Sequence, residues 1–331
     1  MLVLFTLLTG CTTKEQINSS KEYTDLNENS EKREKLTIYT TLFPLEDFTR
    51  KIGGEFVEVK SIIPLGADAH TYEPTTKQMV DIAESEAFIF NGLGMELYAE
   101  KIAEALKIED TLLVEATQGI EAIAHRHDDH EHHESGEHGH NEEHHDDYEH
   151  GHDDHHHGDY DPHVWLDPYR AIHLAENIKN ALIELIPTEK ETFETNFNVL
   201  KEELEKLDSE FHQLVDSKVN PEILVSHAAY GYWEETYGIH QIAVAGLSPS
   251  NEPSQKALKK IIEIAKEKQI QYVIFEQNVT PKIAEIIRKE IKAEPLRLHN
   301  LSVLTQEDIE NSEDYFSLMR KNIETLEKAL K

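Results

Sequence analysis

The sequence predicts an α/β protein with two lobes, each built on a parallel βα sheet, joined by one long rigid helix. Two observations predict this fold. Short apolar strand segments alternate with helical segments on both sides of residues 188–218, which is typical of parallel sheets covered by helices. Between the two alternating regions, apolar residues recur at steps of four and three, which predicts a single continuous helix. A chain of 331 residues is long enough for two such lobes.

The predicted first lobe covers residues 36–187. Alternating or continuous apolar runs predict its strands, and proline, glycine and the spacing of apolar residues mark the ends of its helices. The predicted strands are 36–40, 57–59 and 86–90, and the predicted helices are 44–53, 74–84, 96–106 and 168–186.

The joining helix is predicted over residues 188–218. Thr188 and Glu191 have the spacing of a capping box. A coiled-coil dimer is the alternative, but globular segments flank both ends, so we expect a monomer in which this helix connects the lobes. The apolar stripe consists of Phe193, Phe197, Leu200, Leu204, Leu207, Phe211 and Leu214.

The predicted second lobe covers residues 219–331, where the alternation of strands and helices resumes. The predicted strands are 222–227 and 272–276, the helices are 257–268, 281–292 and 313–330, and 296–303 is strand or loop.

The N-terminal segment predicts export and a lipid anchor. Residues 1–10 resemble the apolar core of a signal peptide whose basic start is truncated, and Leu8-Thr9-Gly10-Cys11 resembles a lipobox. Cys11 is the only cysteine, so an internal disulfide is excluded. Residues 11–35 are polar and predict a disordered tether. We therefore expect the protein on the outer face of the cell membrane, anchored through lipid on Cys11, as in Gram-positive bacteria.

The charge of the chain favours cations as ligands. The formal net charge is −33, which argues against nucleic acid as a partner, since nucleic acid needs a positive surface. Residues 125–160, named here the His-rich run, combine many histidines and carboxylates with almost no apolar residues. Ordering such a chain costs about 1–2 kcal/mol per residue, so weak, exchangeable metal sites are expected. Its histidines are His125, His127, His130, His132, His133, His138, His140, His144, His145, His150, His152, His155, His156 and His157.

Three histidines outside the His-rich run have a different placement. His227 ends a predicted strand, His70 follows one, and His163 precedes the short apolar segment 164–166. Ligands of parallel sheets bind at the carboxyl ends of the strands. These histidines therefore predict a metal in the cleft between the lobes. His173, His212, His240 and His299 do not share this placement and are interpreted as structural.

Four segments carry a resemblance that runs from about residue 36 to the C-terminus. They are Ala69-His70-Thr71-Tyr72-Glu73-Pro74, Asp161-Pro162-His163-Val164-Trp165-Leu166-Asp167-Pro168, Ser226-His227-Ala228-Ala229-Tyr230-Gly231-Tyr232 and Gly246-Leu247-Ser248-Pro249-Ser250-Asn251-Glu252-Pro253-Ser254. In these segments the chain resembles the solute-binding lipoproteins of bacterial zinc ABC transporters, the cluster A-I (cluster 9) metal-binding family.

The resemblance implies a binding protein and not an enzyme. It implies that His70, His163 and His227 are zinc ligands, that Zn²⁺ is the transported ligand, and that a permease with a cytoplasmic ATPase are the partners. Manganese-type relatives usually have a carboxylate at the position of His227, and imidazole suits Zn²⁺ better. The alternatives are a binding protein for manganese or another divalent metal, a surface adhesin of the same family, and a metallohydrolase. The His-rich run contains no His-Glu-x-x-His motif.

The fourth ligand is not determined by the sequence. Relatives commonly supply a carboxylate at the position that is Ser302 here. Water, a histidine of the His-rich run, or another carboxylate could complete the site. Glu276, at the end of a predicted strand, is the candidate carboxylate, and its alternative role is to accept a hydrogen bond from a ligating histidine.

Overall fold

The first sheet is entirely parallel and has the strand order β2-β1-β3-β4. The computed structural model of the protein describes residues 35–106, 110–124, 160–278 and 280–330. Residues 1–34, with the predicted signal peptide and nearly all of the tether, lie outside this description, as do residues 125–159. The strands are β1 (Leu36–Thr40), β2 (Val57–Ser61), β3 (Ala87–Phe90) and β4 (Leu112–Glu115).

Helices cover this sheet, and local sequence explains where they begin. Thr75 caps the second helix because its side chain accepts from the amide of Gln78, and the Gln78 side chain accepts from the amide of Thr75. Asp167 caps the fourth helix by accepting from the amides of Tyr169 and Arg170. The helices are α1 (Phe43–Gly53), α2 (Thr76–Ala83), α3 (Leu97–Ala105) and α4 (Pro168–Leu185).

The long helix α5 (Lys190–Asp216) has 27 residues and is about 40 Å long. All seven residues of the predicted apolar stripe are buried. The predicted capping box is wrong, however. Pro187 opens a 3₁₀ turn over Pro187–Glu189, so Glu189 and not Thr188 becomes the N-cap, and the spacing to Glu191 no longer fits a box.

The second sheet repeats the arrangement of the first, with the parallel order β6-β5-β7-β8. The predicted fold class, two parallel α/β sheets with helices, is confirmed. Its strands are β5 (Glu222–His227), β6 (His240–Ala245), β7 (Tyr272–Glu276) and β8 (Glu294–Leu298). Its helices are α6 (Gly231–Tyr237), α7 (Gln255–Glu267), α8 (Lys282–Ile291), α9 (Gln306–Glu310) and α10 (Tyr315–Ala329).

One hydrophobic cluster extends through both lobes. It includes Ile38 and Phe88 of the first sheet, Leu204 of α5, and Ile223 and Ile274 of the second sheet. A smaller cluster lies on the other face of the second sheet, around Leu224, Val273 and Ile287. Because a packed core resists shear, the shared cluster limits motion between the lobes. Within the described ranges, no helix is both long and apolar enough to cross a lipid bilayer.

Candidate metal centre

Three histidine side chains converge at one point. The Nε2 atoms of His70 and His163 lie 3.2 Å apart, and those of His163 and His227 lie 3.4 Å apart. One ligand atom from each of the three lies within 4.8 Å of the others. Among the residues that the structure describes, no other three or more His, Cys, Asp or Glu side chains meet in this way. We name this group the three-histidine centre.

The histidines reach this point from three different elements. His227 is the last residue of β5 and is fully buried. His70 lies in the loop between β2 and α2 and is partly exposed. His163 is also buried and stands directly before the short apolar segment Val164–Leu166, which forms a 3₁₀ turn. Both lobes therefore contribute imidazole nitrogens to one centre.

Asp161 orients the ring of His163. One carboxylate oxygen, Oδ1, accepts from the backbone amide of His163 at 3.0 Å and lies 2.8 Å from its Nδ1. With Nδ1 paired in this way, Nε2 is directed toward the other two histidines. Gly231 at the start of α6 permits this geometry, because a Cβ there would collide with the second Asp161 oxygen.

Glu276 lies behind His227. Strands β5 and β7 pair with Val225 opposite Ile274, so two residues further on Glu276 comes beside His227. Its Oε1 contacts Nδ1 of His227, on the opposite side of the ring from Nε2. The Glu276 carboxylate is not one of the converging groups. This geometry favours the role of hydrogen-bond acceptor for a ligating histidine over that of fourth ligand.

The electrostatics of the centre favour a neutral His70 on the open side and a charged Glu276 carboxylate behind His227. Burial lowers the pKa of His70 well below its usual value, and neighbouring His163 and His227 lower it further. Burial raises the pKa of Glu276, but the attraction of His227 and His163 and the hydrogen bond from Asn300 outweigh it, so the net direction is downward. A neutral His70 is ready to donate a lone pair to a metal ion.

Ser302 is buried beside this network. Its hydroxyl donates to Oδ1 of Asn300 at 2.8 Å, and its carbonyl accepts from the amide of Phe43 at 3.0 Å. The hydroxyl thus has a partner within the loop.

The remaining candidates have other surroundings or lie outside the described residues. His240 is exposed and its Nδ1 lies 2.9 Å from Glu234, while His299 is buried with Nε2 3.1 Å from Asp308. Cys11 and the fourteen histidines of the His-rich run fall in the parts of the chain that the structure does not describe. Sequence reasoning singled out neither Asp161 nor Asn300 as a supporting residue. The sequence offered a local signal only for Asp161, which stands two residues before His163.

Three imidazole nitrogens within a few ångströms of one another fit a small divalent ion with tetrahedral preference. Residues 38–329 match the family model described as zinc-uptake complex component A, periplasmic. The chain belongs to this family. The match covers both sheets, α5 and all three histidines of the centre, so the family assignment and the geometry concern the same part of the molecule.

Two proteins described as zinc-binding or zinc-uptake proteins are similar to this chain in sequence. The zinc-binding lipoprotein AdcA of Streptococcus pneumoniae is 33% identical over 292 residues, which cover 88% of this chain and 55% of the relative. This chain therefore spans about half the length of that relative. The high-affinity zinc uptake system protein ZnuA of Bacillus subtilis is 31% identical over 299 residues, covering 90% of this chain and 89% of the relative.

A solved structure of the family has the same fold. The crystal structure of the Zn(II)-bound ZnuA-like domain of Streptococcus pneumoniae AdcA superposes with a TM-score of 0.71 at 30% identity. The superposition covers 89% of this chain and 99% of that domain. The two-lobed architecture derived above is therefore that of the family's zinc-bound member.

Proposed function

We propose that this chain is the zinc-binding subunit of an ABC importer. It would capture Zn²⁺ from outside the cell between its two lobes and deliver it to a membrane permease driven by a cytoplasmic ATPase. The observation that carries the proposal is the convergence of three histidine Nε2 atoms from both lobes. The membership of the zinc-uptake family supports the same function.

His70, His163 and His227 are the proposed ligands of the zinc ion. Three imidazoles leave one tetrahedral position for water or another donor, and Zn²⁺ accepts this arrangement readily. Imidazole donors suit Zn²⁺ better than Mn²⁺, which prefers carboxylate oxygen, so the donor set favours zinc transport over manganese transport. Asp161 and Glu276 support the proposal as acceptors that hold the far nitrogens of His163 and His227.

Delivery to a permease requires that the protein stay close to the membrane. We propose that lipid on Cys11 anchors it to the outer face of the cell membrane and that residues 11–35 act as the tether. The His-rich run would collect metal ions weakly. This part of the proposal depends on the sequence and on the description of one relative as a lipoprotein.

Zinc titration of single variants tests the assignment of ligands. A chelating fluorophore that holds free zinc low will report only the tight site, because weak sites remain empty. We expect wild type to bind one zinc ion tightly, and His70→Ala, His163→Ala and His227→Ala each to lose that ion. His212→Ala is the matched control, since His212 is an exposed histidine of α5. Tight binding that survives any of the three substitutions would refute the ligand set.

An enzyme assay separates transport from hydrolysis, because a hydrolytic zinc site also uses three protein ligands and an open position. The zinc-loaded protein is expected to show no metal-dependent turnover of ester or phosphoester substrates. Turnover abolished by His163→Ala would replace the binding-protein proposal with a metallohydrolase.

A further inference from the structure

The loop after β8, residues 299–305, is held in place by buried side chains. The backbone amide of His299 donates to Oδ1 of Asn322 at 2.8 Å, and Nδ2 of Asn322 donates back to the His299 carbonyl at 2.8 Å. The His299 ring spans the turn, with Nε2 3.1 Å from Asp308 and Nδ1 accepting from the amide of Leu301 at 3.0 Å. The loop is therefore a rigid platform fixed to α9 and α10.

Asn300 is the residue of this loop whose side chain bonds to Glu276, the carboxylate behind His227. Its Oδ1 accepts from the Ser302 amide at 3.0 Å, the Ser302 hydroxyl at 2.8 Å and Nε2 of Gln277 at 2.8 Å. Because three donors surround Oδ1, the orientation of the amide is fixed and Nδ2 must point the other way. Nδ2 donates to Oε2 of Glu276 at 2.5 Å.

The bond from Asn300 completes a relay to His227. Glu276 has one oxygen against Nδ1 of His227 and the other against Nδ2 of Asn300. A carboxylate with a partner at each oxygen is restricted in rotation about its terminal torsion, so it presents an oriented acceptor to the ring. His227 then keeps its proton on Nδ1 and its lone pair on Nε2, which faces His163.

The same loop contacts the supports of the other two histidines. The carbonyl of Asn300 accepts from Nε1 of Trp165 at 2.8 Å, and the Trp165 ring lies against His163 with centroids 5.3 Å apart. The carbonyl of Leu304 accepts from the amide of Gly66, in the loop that carries His70, at 3.0 Å. One short segment of the second lobe thus touches the surroundings of all three histidines.

We propose that Asn300 is a positioning residue for the three-histidine centre, and that it acts by fixing the Glu276 carboxylate and through it the tautomer of His227. The inference rests on the proposed function, because its expected consequence is a change in zinc affinity. Its immediate effect, on the tautomer of His227, is measured in the metal-free protein. Ser302 contributes its backbone amide and its hydroxyl to the three donors around Oδ1 of Asn300, and the amide together with Nε2 of Gln277 still fixes that oxygen when the hydroxyl is absent.

The test compares Asn300→Ala with Ser302→Ala in the full chain. Asn300→Ala removes the donor to Glu276. Ser302→Ala removes only one of the three donors to Oδ1 of Asn300, and the other two still hold Nδ2 against Glu276. Asn322→Ala is a second control that loosens the loop at its attachment to α10. We expect Asn300→Ala to weaken tight zinc binding about tenfold, as is typical when the partners of metal-bound histidines are lost. Both controls should stay within about twofold of wild type.

The second measurement is the tautomer of His227, which would not change if Asn300 only stabilised the loop. Long-range ¹H–¹⁵N NMR of the metal-free protein should show the His227 proton on Nδ1 in wild type and in Ser302→Ala. In Asn300→Ala the same ring should show a mixture of tautomers. Asn300→Ser, which keeps a small polar side chain too short to reach Glu276, is expected to behave like Asn300→Ala and replaces it if that variant does not fold.

Wild-type affinity and an unchanged tautomer in Asn300→Ala and Asn300→Ser would overturn the inference. Equal losses of affinity in Asn300→Ala and in the two controls would also overturn it, because they would report loop stability alone. Failure of the proposed function is distinguishable from either result: wild type would then lack a tight zinc ion, while the tautomer comparison in metal-free protein would still decide the role of Asn300.

Discussion

Glu96 shows how strongly a single buried residue responds to its surroundings. The residue is 2% exposed, and its carboxylate accepts from the amides of Asn91 at 3.1 Å and Gly92 at 3.2 Å and from the Thr41 hydroxyl. Burial raises the pKa of Glu96 from 4.5 to about 7, although these donors pull it down. The folded protein therefore holds a proton on Glu96 between pH 4.5 and 7 that the unfolded chain has released.

This proton makes stability depend on pH in a defined direction. Because the folded state binds more protons in that window, the free energy of unfolding contributed by Glu96 falls as pH rises from 4.5 to 7. At about 1.4 kcal/mol per pKa unit, the upper limit is about 3 kcal/mol. Glu96→Gln cannot titrate, so urea unfolding of metal-free protein should show wild type losing stability relative to Glu96→Gln over this range.

Glu104→Gln provides the control for that experiment, since Glu104 is an exposed carboxylate on α3. It should track wild type at every pH. Parallel pH profiles for wild type and Glu96→Gln would show that Glu96 ionises at the same pH in both the folded and unfolded states.

Among the helices and strands, α5 is the one in which the apolar pattern of the sequence most clearly matches the buried face. Its seven stripe residues recur at helical spacing and all pack into the cluster shared by the two lobes. A helix in a folded protein is stabilised chiefly by burial of its apolar face, and α5 buries one stripe over about 40 Å.

Substitutions on the two faces of α5 should differ sharply. Leu204 is fully buried, so Leu204→Ala should lower the free energy of unfolding by about 2–5 kcal/mol, through lost transfer energy and the cavity left behind. Val199 on the same helix is 61% exposed, so Val199→Ala should change it by less than about 0.5 kcal/mol. Denaturant unfolding of metal-free protein measures both. Similar losses for the two would mean that α5 does not depend on its buried stripe.

The sequence predicts some elements better than others, for a physical reason. Strands β5 and β7 have their predicted bounds because both are central and apolar on both faces. Strands β4 and β6 were missed: both are edge strands that pair on one side only and are largely half-buried, so their apolar signal is weak. The short helices α6 and α9 were missed because five to seven residues give too few turns for a periodic pattern.

At the scale of the whole molecule, the His-rich run leaves and re-enters the first lobe at one place. Ala124 and Tyr160 form an antiparallel bridge, and the amide of Asp161 donates to the Ile123 carbonyl at 2.8 Å. The two ends of the run are therefore neighbours, and Asp161 is fixed independently of the residues between them. The chain can be closed across this bridge without moving His163.

Removing the His-rich run should therefore separate two classes of zinc site. Replacing residues 125–159 by Asn-Gly, which favours a two-residue hairpin turn, is expected to lower the number of zinc ions bound while one tight ion remains. A full-length variant with the fourteen histidines changed to serine should give the same result. Equilibrium dialysis gives the stoichiometry and chelator competition the affinity. Loss of the tight ion in both variants would show that the His-rich run supplies a ligand of the tight zinc site.

The sequence by itself determined the α/β class, the long joining helix and the three histidines that belong together, because periodicity and strand ends are local patterns. The tertiary structure alone decided how those histidines meet and what supports them. Whether Glu276 faces a metal or the back of His227 depends on the register between β5 and β7, and the role of Asn300 depends on a loop fixed by Asn322 of α10. Such contacts join residues far apart in the chain, and only packing of the whole protein brings them together.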